Sequence, residues 1–311
     1  MKLVKLFFGM LAGSFLVLTI LWIPLKQGYQ QYYRFEQNKL KEIISGSAKI
    51  DLLFIGSSRT FYHVNPRIID STLQLNSFNA GIDGARLLEM DMVLRCFLAV
   101  HEKPSCVVLD ISTSSFDISR NPIFNPNIYY PFLGDSIVYN SLSPYKRVGL
   151  MKAFPFLAVA EWDDILKAGA LKGVFGKTQP LAPNYKGFLE SGRDTMRLPF
   201  KRTFLKTDYA IRPEGKRLLD EIIMICRNND IKLFFTYAPI SILDDSKINP
   251  DFFPTLTEIT TLNNIPFLNY SHLELSNNHK LFRDEHHLNS YGAAIYSRKL
   301  AEDLKTLYFS K

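Results

Sequence analysis

Two short segments at opposite ends of the chain carry residue types that can do chemistry together. Gly56-Ser57-Ser58-Arg59 supplies a serine, and Asp284-Glu285-His286-His287 supplies a carboxylate and an imidazole. A serine hydroxyl becomes a good nucleophile when a base takes its proton and a carboxylate holds that base in the right tautomer. Because they are three residues apart on a turn, Asp284 can reach Nδ1 of His287 and leave Nε2 directed at Ser58. The two segments together predict a site for acyl transfer through a serine.

The elements predicted beside these segments place both of them at one edge of a sheet. The apolar run 50–55 is typical of a buried strand, so Ser58 follows a strand end. The Asp284 segment stands just before a helical pattern that opens at Ser290. Since ligands of open α/β sheets bind outside the carboxyl ends of the strands, we expect both segments at the ligand-binding rim.

The body of the chain alternates short apolar runs with amphipathic patterns, which is typical of a parallel sheet with crossover helices. The predicted strands span residues 50–55, 75–79, 106–111, 231–237 and 265–270. The predicted helices span residues 66–73, 87–99, 213–228, 251–263 and 290–307. We therefore expect an α/β fold, a three-layer sandwich around a five-stranded parallel sheet of flavodoxin-like type.

The blocks resemble those of the SGNH (GDSL-type) hydrolase superfamily, from about residue 50 to the end of the chain. That superfamily places its nucleophile in a Gly-Asp-Ser block, here Gly56-Ser57-Ser58, and its acid and base in an Asp-x-x-His block, here residues 284–287. A third segment, Asn79-Ala80-Gly81-Ile82-Asp83-Gly84, resembles the block in which a glycine N–H helps to form the oxyanion hole. The resemblance implies an SGNH fold with four site residues: catalytic Ser58, His287 and Asp284, and Gly84 in the oxyanion hole.

One block departs from the family pattern. After the strand predicted at 106–111 the family carries Gly-x-Asn-Asp, whose Asn side chain donates to the oxyanion, whereas this chain reads Ser112-Thr113-Ser114-Ser115. Removal of one oxyanion donor can cost about a hundredfold in rate. We expect the backbone N–H groups of Ser58 and Gly84 to hold the oxyanion, with Ser114 as a third donor.

A serine-rich block behind an N-terminal anchor resembles the branch that works with membrane-bound O-acyltransferases, such as the alginate acetylation proteins and the D-alanylation partner of teichoic acid synthesis. The resemblance implies an esterase or acyltransferase that acts on O-acyl groups, O-acetyl above all, of a cell-envelope or secreted polysaccharide. Hydrolase and transferase share an acyl-enzyme, so both stay open. The competing interpretation is a non-catalytic partner that binds polymer or a membrane-bound O-acyltransferase through the same cleft. The missing Asn favours this interpretation, and the intact Ser, His and Asp set opposes it.

The N-terminal segment predicts a membrane span. Residues 6–25 carry no charge, and a helix of that length crosses a hydrocarbon core of about 30 Å. Lys2 and Lys5 precede it, so we expect a cytoplasmic N-terminus and a body on the periplasmic or extracellular side of the inner membrane. A cleaved signal peptide is the alternative, but no clear small-x-small cleavage site precedes Lys26. We predict a single-pass signal anchor over 1–27, a juxtamembrane spacer over 28–49 and an SGNH-like domain over 50–311.

Composition fits one large globular domain beyond the anchor. The 311 residues are 47% hydrophobic, and the formal net charge of +7 is mild. Because the chain has no lysine and arginine run or basic-aromatic stripe, nothing indicates nucleic acid as a partner. Cys106 and Cys226 lie in apolar contexts and are expected as buried thiols, so no disulfide framework is predicted. We expect no cofactor, and no metal, because the adjacent His286 and His287 point in different directions on a turn.

Residues 112–207 form a predicted insertion rich in aromatic residues and prolines, including Asn121-Pro122-Ile123-Phe124-Asn125-Pro126 and Tyr129-Tyr130-Pro131-Phe132. We expect it to fold over the catalytic rim, where its rings either bind sugar faces or pack onto the core or the membrane interface. Arg59 and His63, close to Ser58, are candidate substrate-binding residues. The alternatives are a structural ion pair for Arg59 and an ordinary loop or helix-start position for His63.

Overall fold

The computed structural model describes residues 1–31, 37–118, 122–176, 184–196, 209–241 and 248–309. The chain divides into two compact units. We name Ser45–Phe124 with Ala182–Lys311 the sheet unit, and Met1–Ile44 with Asn125–Leu181 the anchor unit.

The sheet unit is built on a parallel sheet. The strands of the described residues are β1 (Leu52–Ile55), β2 (Ser77–Asn79), β3 (Cys106–Asp110), β4 (Asn184–Tyr185), β5 (Phe188–Leu189), β6 (Lys232–Tyr237) and β7 (Phe267–Asn269). Five of them form one sheet in the order β2-β1-β3-β6-β7, and every neighbouring pair is parallel. β4 and β5 form a separate antiparallel hairpin. The order is flavodoxin-like, so the predicted fold class is confirmed.

Each predicted strand is present, with its ends moved by two residues or fewer.

The helices of the described residues are α1 (Lys2–Gln31), α2 (Gln37–Ser45), α3 (Ser58–His63), α4 (Pro66–Leu73), α5 (Leu87–Val100), α6 (Ser136–Leu142), α7 (Val148–Ala153), α8 (Ala158–Glu161), α9 (Asp164–Val174), α10 (Pro213–Asn228), α11 (Phe252–Asn263) and α12 (Ser290–Phe309). The five predicted helices correspond to α4, α5, α10, α11 and α12. The start of α4 follows local rules, since Pro66 stands at its first position and the Asn65 side chain accepts from Arg67 N–H.

Helices cover both faces of the sheet. Alternate residues of β1, Leu52 and Phe54, belong to one apolar core with side chains of α4 and α12, among them Ile69 and Leu300. α5 and α10 pack against each other and lie along β1 and β6. All four residues of β1 are buried, which explains its uninterrupted apolar sequence. The three cysteines are free and buried, as predicted for Cys106 and Cys226, and burial raises the pKa of the Cys226 thiol to about 12.

The anchor unit is organised around α1. One helix of the described residues is long and apolar enough to cross a membrane; it spans Lys2–Tyr29, and an 18-residue stretch within it has a mean hydropathy of 2.3. Its C-terminal part packs along α9. The Tyr29 ring stacks on Trp162 with 4.8 Å between ring centroids, and the Tyr29 hydroxyl donates to the carbonyl of Ile128.

The predicted insertion 112–207 contributes to both units. It supplies α6 to α9 of the anchor unit and the β4–β5 hairpin of the sheet unit. Residues 119–121, 177–183 and 197–207, and with them Asn121 of the aromatic segment, lie outside the described residues. Tyr129 and Phe132 are buried in the anchor unit, which favours packing over sugar binding for these rings. That the insertion folds over the catalytic rim stays a prediction.

Candidate active site

The structure brings the side chains of Ser58, His287 and Asp284 together. Ser58 Oγ lies 2.8 Å from Nε2 of His287. Nδ1 of His287 lies 2.8 and 3.0 Å from the two carboxylate oxygens of Asp284. Because a carboxylate only accepts hydrogen bonds, Nδ1 carries the imidazole proton and Nε2 is left to accept the hydroxyl proton of Ser58. This is the arrangement that nucleophilic catalysis by serine requires.

The turn that presents Ser58 has little steric freedom. Ser58 is the first residue of α3, and it follows β1 after only Gly56 and Ser57. A Cβ on Gly56 would overlap the Thr60 hydroxyl and lie 3.0 Å from Cβ of Asp110. Glycine is therefore required at position 56, because the turn passes directly against the end of β3.

Arg59 fastens the first turn of α3 to the sheet. Its guanidinium lies 3.4 Å from the Asp110 carboxylate and donates to the carbonyl oxygens of Ile111 and Ala238 at 3.3 and 3.2 Å. It also lies over the Tyr237 ring, 4.3 Å from the centroid. Asp110 in turn accepts from Ala238 N–H at 2.7 Å. The Arg59 and Asp110 side chains are both buried. Of the two interpretations of Arg59, substrate binding and a structural ion pair, the structure shows the ion pair.

The Asp284 carboxylate organises the loop that carries the base. Its Oδ1 accepts from the backbone N–H groups of His286 and His287 at 3.0 and 2.9 Å, and Arg283 Nε lies 3.4 Å from Oδ2. Burial alone would raise the pKa of Asp284, but the hydrogen bond and charge of His287, with the His286 N–H and Arg283, hold this pKa below its ordinary value. The carboxylate is therefore ionised wherever the protein is folded near neutral pH.

His63 supports the same loop from inside the protein. It is fully buried, and its Nε2 accepts from the backbone N–H of Leu288 at 3.0 Å. Burial lowers its pKa well below the ordinary value, and repulsion from a protonated His287 and from the Arg59 guanidinium adds to that effect. His63 is thus a neutral acceptor that holds the residue next to His287. The structure places it in the interior, away from solvent.

The loop after β2 carries Gly84, the predicted oxyanion glycine. Gly84 has a φ of +69°, and a Cβ there would overlap the ring of Phe124. Among the described residues, neither the Gly84 N–H nor the Ser58 N–H donates a backbone–backbone hydrogen bond outside the helices and strands. Both donors are therefore available to an oxygen of a bound substrate, while the oxyanion role itself stays a prediction.

Asn79 holds this loop against α3, a role that sequence reasoning missed. Its Nδ2 donates to the carbonyl oxygens of Thr60 and Val64 at 2.7 Å each, and its Oδ1 accepts from Gly81 N–H at 3.0 Å. A Cβ on Gly81 would lie 2.6 Å from Phe61 N, which shows how closely the loop approaches the helix. The sequence feature that could have indicated this role is an amide side chain at the end of a predicted strand. Buried polar side chains usually form hydrogen bonds, often with backbone groups.

The block that departs from the family pattern forms a compact serine cluster. Ser112 Oγ lies 2.9 Å from Ser114 Oγ and 3.0 Å from Ser115 Oγ, and Ser112 N–H donates to Ser115 Oγ. These hydroxyls bond to one another in a 3-10 turn at Thr113–Phe116. The role of Ser114 as a third oxyanion donor stays a prediction.

Two more side chains stand beside the base. The Tyr62 ring contacts His287 edge-on with 5.4 Å between centroids, and the Arg283 guanidinium lies 4.7 Å from the Tyr62 centroid. Tyr62 could have been found from spacing, since it is four residues after Ser58 and shares its helix face. Arg283 carries no such signal, because its position depends on the loop. Among the described residues, no group of three or more His, Cys, Asp or Glu is arranged to hold a metal ion.

Comparisons with known proteins give structural likenesses. No protein-family model and no curated protein matches the chain. A solved structure from Desulfitobacterium hafniense DCB-2, described as a lipolytic protein of the G-D-S-L family, aligns with a TM-score of 0.43 and 11% identity over 81% of this chain and 97% of its own. A second, described as an acylhydrolase from Bacteroides fragilis NCTC 9343, aligns with a TM-score of 0.40 and 11% identity over 89% and 98%. The chemistry of the site is therefore inferred from its own side chains.

Proposed function

We propose that this protein is an SGNH-type serine esterase or O-acyltransferase. The observation that carries the proposal is the continuous hydrogen-bonded path from Ser58 Oγ through His287 to the Asp284 carboxylate, with heavy-atom distances of 2.8 Å at both steps. The path lies at the carboxyl end of β1, where ligands of open α/β sheets bind. A serine in this arrangement is suited to attack an ester carbonyl.

The proposed reaction has two steps through an acyl-enzyme. Ser58 Oγ attacks the acyl carbonyl while His287 Nε2 takes its proton, and Asp284 stabilises the imidazolium that forms. The N–H groups of Ser58 and Gly84 hold the negative oxygen of the tetrahedral intermediate. His287 then protonates the leaving alcohol, which departs and leaves the acyl group on Ser58. In the second step His287 activates water or a sugar hydroxyl, which takes the acyl group and restores the free serine.

The proposed substrate is an O-acyl group, O-acetyl above all, on a cell-envelope or secreted polysaccharide. Phe124 supports this choice, since its ring lies against Gly84 and is 58% exposed, as a ring that stacks on a sugar face must be. The net charge of +7 favours an anionic polymer. A membrane-bound O-acyltransferase is the proposed source of acyl groups if the reaction is transfer.

The proposed location is the inner membrane, with α1 as a single-pass anchor and the sheet unit on the periplasmic or extracellular side. The apolar length of α1 and the lysines that precede its uncharged stretch, Lys2 and Lys5, support this orientation. An O-acylated envelope polymer would be reached from that side.

The second candidate is a non-catalytic partner that binds polymer or an acyltransferase. The serine cluster favours it, because the hydroxyls of Ser112, Ser114 and Ser115 bond to one another in place of the usual amide donor. Without a third donor, the rate of an esterase would fall by about a hundredfold.

Turnover by the detergent-purified full chain separates the two candidates. We expect release of acetate from acetylated oligosaccharides or aryl acetates, or acetyl transfer between sugars, and we expect Ser58→Ala and His287→Ala to abolish it. Ser57→Ala is the matched control and should retain most of the activity. If the wild-type chain neither releases nor transfers acetate, while both variants leave polymer acetylation in cells unchanged, the catalytic proposal is wrong and the binding partner remains.

A further inference from the structure

The apolar span of α1 does not stand alone in the anchor unit. The Phe15 ring contacts Phe154 and Phe156 edge-on, with centroid distances of 5.1 and 5.4 Å. At a rise of 1.5 Å per residue, Phe15 lies about 15 Å from Leu25, which is near the middle of a hydrocarbon core about 30 Å thick. If α1 crosses a membrane, the two rings that touch Phe15 must enter the hydrocarbon with it.

The segment that carries these rings suits an apolar environment. Residues 153–160 read Ala-Phe-Pro-Phe-Leu-Ala-Val-Ala and carry no charge. Their backbone is helical except at Phe154, since α7 ends at Ala153, a 3-10 turn follows at Pro155–Leu157, and α8 begins at Ala158. Phe154 N–H donates to the carbonyl of Leu150 and Leu157 N–H to that of Phe154. Because these backbone groups are hydrogen-bonded within the segment, its transfer from water into the hydrocarbon costs less free energy. An irregular loop would carry unpaired backbone groups into the membrane.

The anchor unit also exposes large apolar side chains on α7, on α9 and in the segments next to them. We name this set the docking face, and it consists of Leu150, Phe154, Leu157, Leu171, Val174 and Phe175, which are 36 to 73% exposed. Side chains of this size are unfavourable in water, at about 25 cal/mol per Å² of apolar surface. An exposed lysine accompanies the face in the sequence, Lys172 in α9. Basic side chains beside an apolar surface match anionic lipid headgroups.

The attachment of α9 to α1 is close enough to fix the face in position. Gly28 of α1 and Gly173 of α9 are in backbone contact, and a Cβ on either glycine would overlap backbone of the other helix. Trp162 adds ring contacts to Trp22 and Tyr29. Insertion of α1 therefore carries the elements packed on it towards the same bilayer.

We propose that the docking face lies in the outer leaflet of the membrane that α1 spans, so that the anchor unit is a membrane-embedded platform and α1 is only one part of its anchor. This inference rests on the membrane anchor proposed above. The partner of the face is lipid. The apolar segment 153–160 lies in the hydrocarbon beside Phe15, and Lys172, next to the contact of Gly173 with Gly28, reaches the headgroups.

Fluorescence quenching by lipid tests the proposal in the full chain. The native cysteines are buried, so an exposed cysteine introduced by Phe154→Cys or Leu157→Cys can be labelled with an environment-sensitive dye. The protein is reconstituted in phosphatidylethanolamine and phosphatidylglycerol vesicles, with or without brominated acyl chains. Leu11→Cys in α1 is the positive control for the anchor, and Asn140→Cys, exposed in α6 and outside the docking face, is the control for water.

We expect brominated lipid to cause a loss of emission at Phe154 and Leu157 of the same order as at Leu11, with no loss at Asn140. Phe154→Cys removes a ring that contacts Phe15. Leu157→Cys leaves that ring in place and therefore controls for any disturbance. Quenching at Leu11 alone would overturn the docking proposal and leave the anchor intact. Absence of quenching at Leu11 would overturn the anchor itself, and the docking proposal with it.

Discussion

The two loops that supply the proposed triad are held by different forces. The turn from β1 into α3 is fixed from outside, by the buried contact of Arg59 with Asp110 and by the close approach of Gly56 to Thr60. The loop that carries His287 is fixed from within, since one carboxylate, Asp284, binds two backbone N–H groups and the imidazole. The nucleophile thus depends on the core of the fold, and the base depends mainly on local electrostatics, with support from the buried His63 through Leu288.

This difference separates stability from activity. Changes around the nucleophile should unfold the sheet unit before they alter the chemistry. Changes in the base loop should damage the chemistry while the fold persists. The following substitutions are ordered from the largest expected effect to the smallest.

Asp284→Asn should lower kcat by about 10⁴-fold, because an amide no longer holds His287 in the tautomer that accepts the Ser58 proton. The fold should persist, since the Asn oxygen can still accept from the N–H groups of His286 and His287. Turnover of an aryl ester and the urea midpoint, measured on the same preparation, test both parts. Asp220→Asn, at an exposed position in α10, is the matched control and should change neither quantity. An unfolded Asp284→Asn protein would contradict the proposed separation.

Arg59→Met should lower the free energy of unfolding by about 3–5 kcal/mol, because it leaves the Asp110 carboxylate buried without its partner. The double variant with Asp110→Leu should recover part of that loss, since no buried charge then remains unpaired. Arg67→Met removes an exposed arginine that lies over Tyr185, and it should cost about 1 kcal/mol or less. Urea unfolding measures all three. Equal effects of Arg59→Met and Arg67→Met would show that the nucleophile turn is not held by this pair.

His63 should make stability depend on pH with a defined sign. Its pKa is lowered in the folded protein, whereas the unfolded chain takes up a proton near pH 6.5, so this stability is complete above about pH 6.5 and declines as the pH falls. Gln at position 63 can accept from Leu288 N–H without titrating, so His63→Gln should flatten the decline between about pH 6.5 and 5. Unfolding midpoints across this window measure the slope. His272→Gln, at an exposed position, should leave the wild-type slope unchanged, and an identical slope in His63→Gln would contradict the assignment.

The elements that could be predicted are those whose evidence lies within a short stretch of sequence. β1 and β3 are uninterrupted apolar runs, α4 begins with Asn65 and Pro66, and each of them was predicted within two residues of its observed ends. The contact of Asp284 with His287 followed from a spacing of three residues on a turn. The pairing of Ser58 with His287, far away in the sequence, was indicated by the strand end before Ser58 together with the family resemblance.

What could not be predicted depends on contacts between distant segments. α3 has only six residues and no apolar period, and contacts with three strand ends hold it in place. Asn79 at the end of β2 donates to the Thr60 carbonyl, and Arg59 of α3 donates to the carbonyl oxygens of Ile111 and Ala238, which follow β3 and β6. The tertiary role of His63 also had no local signal, because its acceptor bond reaches Leu288, more than two hundred residues away. The role of Arg59 could not be predicted either, since an arginine that follows a serine is equally compatible with substrate binding and with a buried ion pair.

The most direct test of the central claim is labelling of the full chain by a fluorophosphonate probe, which reacts only with a serine whose proton a nearby base can take. Wild-type protein should be labelled, Ser58→Ala should lose the label, and Ser57→Ala, one residue earlier in the same turn, should keep most of it. Labelling that persists in Ser58→Ala would contradict the assignment of Ser58 as the nucleophile.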